Sequence, residues 1–139
     1  MAAFNKFNQF TEDALRGVHN FDSHVFKVML TNTAPTSANA VKGDLTEISA
    51  GNGYTAGGAA TTITLSTSGG TAKAVGTDVT FTATGAIGPF RYAVLYNDTP
   101  TSPADPLIGF WDYGSSISLA SGDTFTVDFD ATNGILTVA

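Results

Sequence analysis

The chain has no cysteine among its 139 residues. Disulfide bonds, thiolate metal sites and cysteine nucleophiles are therefore excluded. Charge is also scarce, because aspartate, glutamate, lysine and arginine make up only 13% of the residues, against about 25% in typical globular proteins. Threonine, serine and asparagine must therefore supply most of the polar surface.

The few charges are distributed unevenly along the chain. All six basic residues occur by Arg91, and no lysine or arginine lies among the aspartates that follow, which are Asp98, Asp105, Asp112, Asp123, Asp128 and Asp130. The net charge of -6 repels phosphate backbones, whereas nucleic-acid binding normally requires clustered lysine and arginine. We therefore expect no nucleic-acid partner.

Long apolar runs are missing as well. The longest uncharged window, residues 48–72, consists mostly of glycine, threonine, serine and alanine. It does not match the roughly 20 predominantly apolar residues that a membrane-spanning helix needs. We therefore expect no membrane segment.

Apolar side chains near the N-terminus recur at spacings of three and four: Phe4, Phe7, Phe10, Ala14 and Val18. This periodicity predicts a helix of about three turns within residues 1–18, ended by Gly17 in a left-handed conformation. Two interpretations are open. The helix packs on the sheet of its own domain, or it is an arm that docks on a neighbouring subunit.

Beyond residue 24 the pattern changes to short runs with a period of two. Apolar residues alternate with threonine, serine or charged residues in segments such as 24–31, 63–66, 79–84, 125–129 and 135–138. About eight such runs follow one another without the strand–helix alternation of parallel sheets. The chain is therefore predicted to be mainly β: one domain, 1–139, forming an antiparallel β-sandwich or jelly-roll-like barrel with one N-terminal α-helix.

Residues 90–116 hold the only tryptophan and three of the four tyrosines. Two apolar arms, 90–96 and 107–113, flank the connector 97–106, which is rich in asparagine, aspartate, threonine, serine and proline. This arrangement predicts a long β-hairpin or a crossing between two sheets. We expect the arms, including Trp111, to lie in the core and the connector to be exposed.

No set of residues predicts catalysis. His19 and His24 have only Asp22 nearby as a third metal ligand, so we interpret them as structural histidines and expect no metal and no cofactor. No serine lies in a nucleophile elbow. Paired carboxylates for sugar hydrolysis are conceivable among Asp98, Asp105 and Asp112, but we expect the protein not to be an enzyme.

Four blocks of the sequence are FNKFNQFTEDALRGVHNF, KVMLTNTAP, EISAGNGYTAGG and GPFRYAVLYNDTPTSPADPLIGFWDYGSS. Together they resemble a family of small structural proteins encoded by tailed bacteriophages. The resemblance implies a component of the virion, assembled in the host cytoplasm, with no catalytic motif. We expect a capsid decoration, or cement, protein that binds the outer capsid surface and bridges capsomers. Its partners would be the major capsid protein and other copies of itself.

The residues expected to contact these partners are three phenylalanine anchors and two loops. The anchors are Phe4, Phe7 and Phe10, and the loops are 33–42 and 97–106, with Pro35, Thr99, Pro100, Pro103 and Asp105 as named contacts. Two alternatives remain open. One is a tail or neck component of the phage, and the other is a host-glycan-binding module that uses Tyr54, Trp111 and Tyr113 as stacking surfaces.

Overall fold

The computed structural model describes residues 2–139 and contains, in that range, ten strands and one α-helix. The predicted domain and N-terminal arm begin at Met1, which lies outside the described residues. The helix α1 is Asn8–Leu15, and a 3₁₀ turn follows at Lys42–Asp44. The strands are β1 Asn5–Lys6, β2 Phe26–Thr31, β3 Ala59–Thr61, β4 Ile63–Ser68, β5 Thr71–Gly76, β6 Val79–Thr82, β7 Ile87–Asn97, β8 Leu107–Leu119, β9 Thr124–Val127 and β10 Leu136–Val138.

These strands form two layers, which confirms the predicted mainly β, antiparallel sandwich. One layer is a five-stranded sheet in the order β1-β8-β7-β2-β3, here called the main sheet. The other layer consists of the sheets β10-β5-β4 and β6-β9. Apolar side chains from all three sheets form one buried cluster between the layers. The sequence patterns do not predict β1, β3 or β5, and the predicted strand at 117–119 is the end of β8.

The strand β7 lies between β8 and β2 and is buried on both faces. Phe90 and Leu95 point into the cluster between the two layers. Val94 and Tyr96 point the other way, into a second small cluster that includes Phe7. The apolar residues on both faces of 90–96 therefore have separate cores to fill, as expected for a central strand.

The N-terminal helix is shorter than its spacing predicts. It begins at Asn8, because Asn5 and Lys6 form β1 and pair with β8. Phe4 is extended chain before this strand, and its ring lies directly over Gly109. A Cβ at Gly109 would lie 2.0 Å from that ring, so the missing side chain is what allows Phe4 to pack there.

The predicted end of the helix is confirmed. Gly17 has a φ of +77°, its amide donates to the carbonyl of Ala14, and the amide of Val18 donates to the carbonyl of Asp13. This is the hydrogen-bond pattern of a glycine-terminated helix. The predicted apolar face of the helix is wrong at Ala14, which is exposed. The buried residues of the helix are Phe10 and Asp13.

The glycine-rich loop 51–58 is fastened to the main sheet through Tyr54 and Glu47. The amide of Leu30 donates to the Tyr54 hydroxyl (3.1 Å), and that hydroxyl donates to the Glu47 carboxylate. The same carboxylate accepts a bond from the Gly57 amide at 2.6 Å. Burial raises the pKa of Tyr54 well above its usual value, so the phenol keeps the proton that it donates to Glu47.

We predict that Gly58→Ala destabilises the protein by more than about 2 kcal/mol. Gly58 has a φ of +82°, and a Cβ there would lie 1.8 Å from the Val28 carbonyl oxygen, so backbone has to move. The matched control is Gly43→Ala, because a Cβ at Gly43 meets nothing within 4 Å. Urea denaturation of both variants measures the difference. Equal stabilities for the two variants would contradict this account of the loop.

Candidate functional site

The two loops predicted as contacts meet at one end of the main sheet. The amide of Lys42 donates to the carbonyl of Asp105 at 2.9 Å, and the amide of Leu107 donates to the carbonyl of Ala40 at 3.0 Å. The loops 33–42 and 97–106 therefore form one continuous surface, which we call the loop surface. The start of α1 also touches it, since the Asn8 amide donates to the carbonyl of Ser37 at 2.9 Å.

The named contact residues of the loop surface differ in exposure. Thr99 and Pro103 are exposed, Pro100 and Asp105 are half-buried, and Pro35 is buried. The Thr99 hydroxyl accepts a hydrogen bond from the Val25 amide at 2.8 Å, which ties the connector to the start of β2. Pro35 is therefore a packing residue of the loop and is not available as a contact.

The charge on the loop surface is confined to Lys42, Asp98 and Asp105. Residues 33–41 and 99–104 contain no aspartate, glutamate, lysine or arginine. Asp98 pairs with Lys27 at 2.9 Å, and Lys42 pairs with Glu47 at 3.3 Å. Burial and then the nearby Asp98 raise the pKa of Asp105. Residues 33–41 and 99–104 of this surface are thus uncharged, and most of them are threonine, serine, alanine or proline.

The phenylalanine anchors are not free to reach a partner. Phe7 is 0% exposed and Phe10 is 6% exposed, and both pack in the chain's own cores. This corrects the expectation that they anchor a neighbouring subunit. Of the two interpretations of the N-terminal segment, packing on its own domain agrees with the structure. Phe4 is half-buried, with its ring 5.4 Å from that of Trp111.

A second candidate site is a cavity of about 330 Å³ between the main sheet and the segment that follows β9. We call it the aromatic groove. Phe4 and Phe129 flank Trp111, each with a ring-centre distance of 5.4 Å, and Tyr113 lies 5.7 Å from Phe125. Its lining includes these five aromatic residues together with Arg91, Asp128 and Asp130.

The charged residues of the groove differ in how they are bonded. Arg91 forms two hydrogen bonds to Asp112, at 2.7 and 3.0 Å, and this pairing lowers the pKa of Asp112. Asp130 accepts bonds from the amides of residues 132 and 133, so it caps a turn. Asp128 is exposed and belongs to none of the salt bridges found among residues 2–139.

Of the three aromatic residues expected to stack on a glycan, two line the aromatic groove and the third is buried elsewhere. Trp111 and Tyr113 both line the aromatic groove, where Trp111 is half-buried and Tyr113 is 56% exposed. Tyr54 is only 2% exposed, and its hydroxyl is bonded within the core. The prediction that Tyr54 offers a stacking surface is therefore wrong. The groove itself was not predicted, because Arg91, Phe4 and Phe129 are distant in sequence.

The two histidines lie beside the end of β7. The Asn97 side-chain amide donates to the Nδ1 atoms of His19 and His24, at 3.1 and 2.9 Å, and its oxygen accepts a bond from the Thr99 amide. Both rings therefore accept at Nδ1 and carry their proton on Nε2. No group of three or more metal-ligating side chains occurs in the part of the chain that the structure describes. No helix within residues 2–139 is long and apolar enough to cross a membrane.

Comparisons with known proteins add no assignment. No protein-family model matches the chain, and no curated protein and no solved structure shows significant similarity to it.

We predict that the protein loses stability as the pH falls from 6.5 to about 4. Burial lowers the pKa of His19 from 6.5 to about 4, so over this range the unfolded chain binds a proton that the folded chain does not. The loss attributable to His19 is at most about 3 kcal/mol. It should be complete near pH 4, and no further loss should come from His19 below that.

The measurement is chemical denaturation at several pH values for the wild type and for His19→Gln. Carboxylates titrate in both proteins, so the difference between them isolates His19. The wild type should be the more stable at pH 8, and its advantage should shrink in acid. A constant difference from pH 8 to pH 4 would contradict the burial argument.

Proposed function

We propose that this chain is a structural protein of a tailed-phage particle, a decoration subunit that attaches to the outer capsid surface and bridges neighbouring capsomers. Its partners are the major capsid protein and other copies of the chain. The loop surface carries this proposal: two loops, distant in sequence, form one continuous surface that is mostly exposed and poor in charge, at one end of the main sheet.

The composition of the loop surface suits a protein partner. The cores of protein–protein interfaces are depleted of charged residues, because desolvating an unpaired charge costs free energy that the contact does not return. Of the three charged residues of the loop surface, Asp98 is paired with Lys27, Lys42 is paired with Glu47, and Asp105 is half-buried. Residues 33–41 and 99–104 can therefore lose their water without leaving a charge unpaired.

The loop surface is also held in place before any partner binds. Backbone hydrogen bonds join the two loops to each other and to α1, and the Thr99 hydroxyl ties the connector to β2. Ordering flexible loops on binding costs free energy, so loops that are already fixed favour attachment. A subunit that stabilises a shell needs this rigidity at its point of contact.

The sequence blocks that resemble phage structural proteins support the same proposal. In the structure they form β1, α1, the loop 51–58 and most of β2, β7 and β8, and so contribute to four of the five strands of the main sheet. They include the connector and part of the loop 33–42. The net charge of -6 argues against packaged nucleic acid as the partner and suits the outer face of the particle.

We predict that Ala38→Arg or Thr101→Arg lowers binding to the particle at least about tenfold, because each places an unpaired charge on the loop surface. Both positions are exposed, so the fold should be unchanged. The matched control is Ala86→Arg, which is exposed just before β7, at the opposite end of that strand. Purified particles that lack the protein are incubated with each variant, sedimented, and analysed for bound protein.

The wild type and Ala86→Arg should bind and raise the temperature at which the shell opens. Equal binding by all four proteins would contradict the loop surface as the attachment site. Absence of the protein from heads, or its co-purification with tails, would contradict the decoration function itself.

A further inference from the structure

We propose that the aromatic groove is a binding site for a neutral saccharide. The site is separate from the loop surface, because Arg91 at the groove and Asn97 at the connector are six residues apart on β7, about 20 Å along an extended strand. The inference therefore does not rest on attachment to a capsid. A subunit held by its loop surface would leave the groove free.

The size of the groove limits the occupant. Its volume of about 330 Å³ lies at the lower end of the range for small-molecule sites, about 300–1,000 Å³. One or two sugar rings would fill such a space. A folded partner could place only one or two side chains in it.

The groove offers the three kinds of group that bind a sugar ring. Tyr113, at 56% exposed, presents an aromatic surface on which the C–H face of a sugar can stack. Asp128 supplies an exposed carboxylate as hydrogen-bond acceptor. The Trp111 indole N–H is a donor that is not buried and has no hydrogen-bond partner within residues 2–139. A stacking face with a donor and an acceptor around it matches the amphipathic surface of a saccharide.

The charges of the groove select against anionic ligands. Among residues 2–139, the one cationic side chain in the lining is Arg91, which is already neutralised by two hydrogen bonds to Asp112. Asp128 and Asp130 then leave the lining negative, and a sialylated sugar, a phosphate or a nucleotide would be repelled. A neutral saccharide has no such penalty, and its hydroxyl groups can donate to Asp128.

The side chains that line the groove are held in place by packing. Trp111 packs against Phe4 and Phe129, and Phe4 in turn packs over Gly109. The Arg91–Asp112 pair fixes the strands next to Tyr113, since Asp112 also accepts a bond from the Gly114 amide at 2.8 Å. A preformed site of this kind loses little conformational entropy on binding.

The test uses the full-length protein and the fluorescence of Trp111, the only tryptophan in the chain, which reports directly on the groove. An array of neutral and sialylated glycans is screened first, and hits are titrated as free oligosaccharides. A neutral glycan should change the tryptophan emission in a saturable way, and its sialylated form should bind at least tenfold more weakly.

Tyr113→Ala and Asp128→Asn should each weaken that binding about tenfold or more while leaving the melting temperature within a few degrees. The control is Leu65→Ala, which removes another exposed side chain outside the groove and should bind as the wild type does. The proposal is overturned if no neutral glycan on the array binds, if sialylated glycans bind equally well, or if the two groove variants bind normally. Binding of a basic peptide in place of any glycan would also overturn it.

Discussion

The strand β7 has to be covered on both of its faces, and most of the fold follows from this requirement. Val94, Leu95 and Tyr96 are each 0–1% exposed although their side chains alternate between the two sides. Burying large apolar side chains of this kind contributes about 1.5–3 kcal/mol each, so neither face can be left to water. The chain therefore needs one layer on each side of the main sheet.

The two faces of the main sheet are covered by different parts of the chain. The smaller sheets β10-β5-β4 and β6-β9 cover one face, and Phe7 and Leu45 pack over the other. Because Phe7 is used in the second covering, the N-terminal segment cannot also act as a docking arm. The same covering brings residues 33–42 against the connector, so the loop surface is a by-product of burying β7. The aromatic groove lies towards the middle of β7 and β8, where the covering by β9 is incomplete.

The alternation of apolar residues was sufficient to predict the sandwich and most of its strands. It failed for β5, because Thr71–Gly76 is rich in alanine and glycine and is a strand only through pairing with β4 and β10. It also failed at the start of α1, where Phe4 fits a helical spacing but is held over Gly109. In both cases tertiary contacts override a local pattern.

The candidate sites were less predictable than the fold. Composition alone indicated that 97–106 is exposed, but nothing in the sequence showed that it meets 33–42. The pairing of Arg91 with Asp112 depends on the register of β7 and β8, which shifts between Phe90 and Tyr92. A β-bulge of this kind changes which side chains meet across the hairpin and leaves no distinct sequence pattern here.

The most direct test of the central claim is thiol protection on the intact particle. The chain has no cysteine, so Ser37→Cys on the loop surface and Ser121→Cys at the far end of the β7–β8 hairpin each provide a single, exposed thiol. Each variant is labelled with a maleimide, free and bound to particles that lack the wild-type protein. Attachment through the loop surface predicts that binding slows the labelling of Ser37→Cys strongly and leaves that of Ser121→Cys unchanged. Protection of Ser121→Cys with free labelling of Ser37→Cys would contradict the claim.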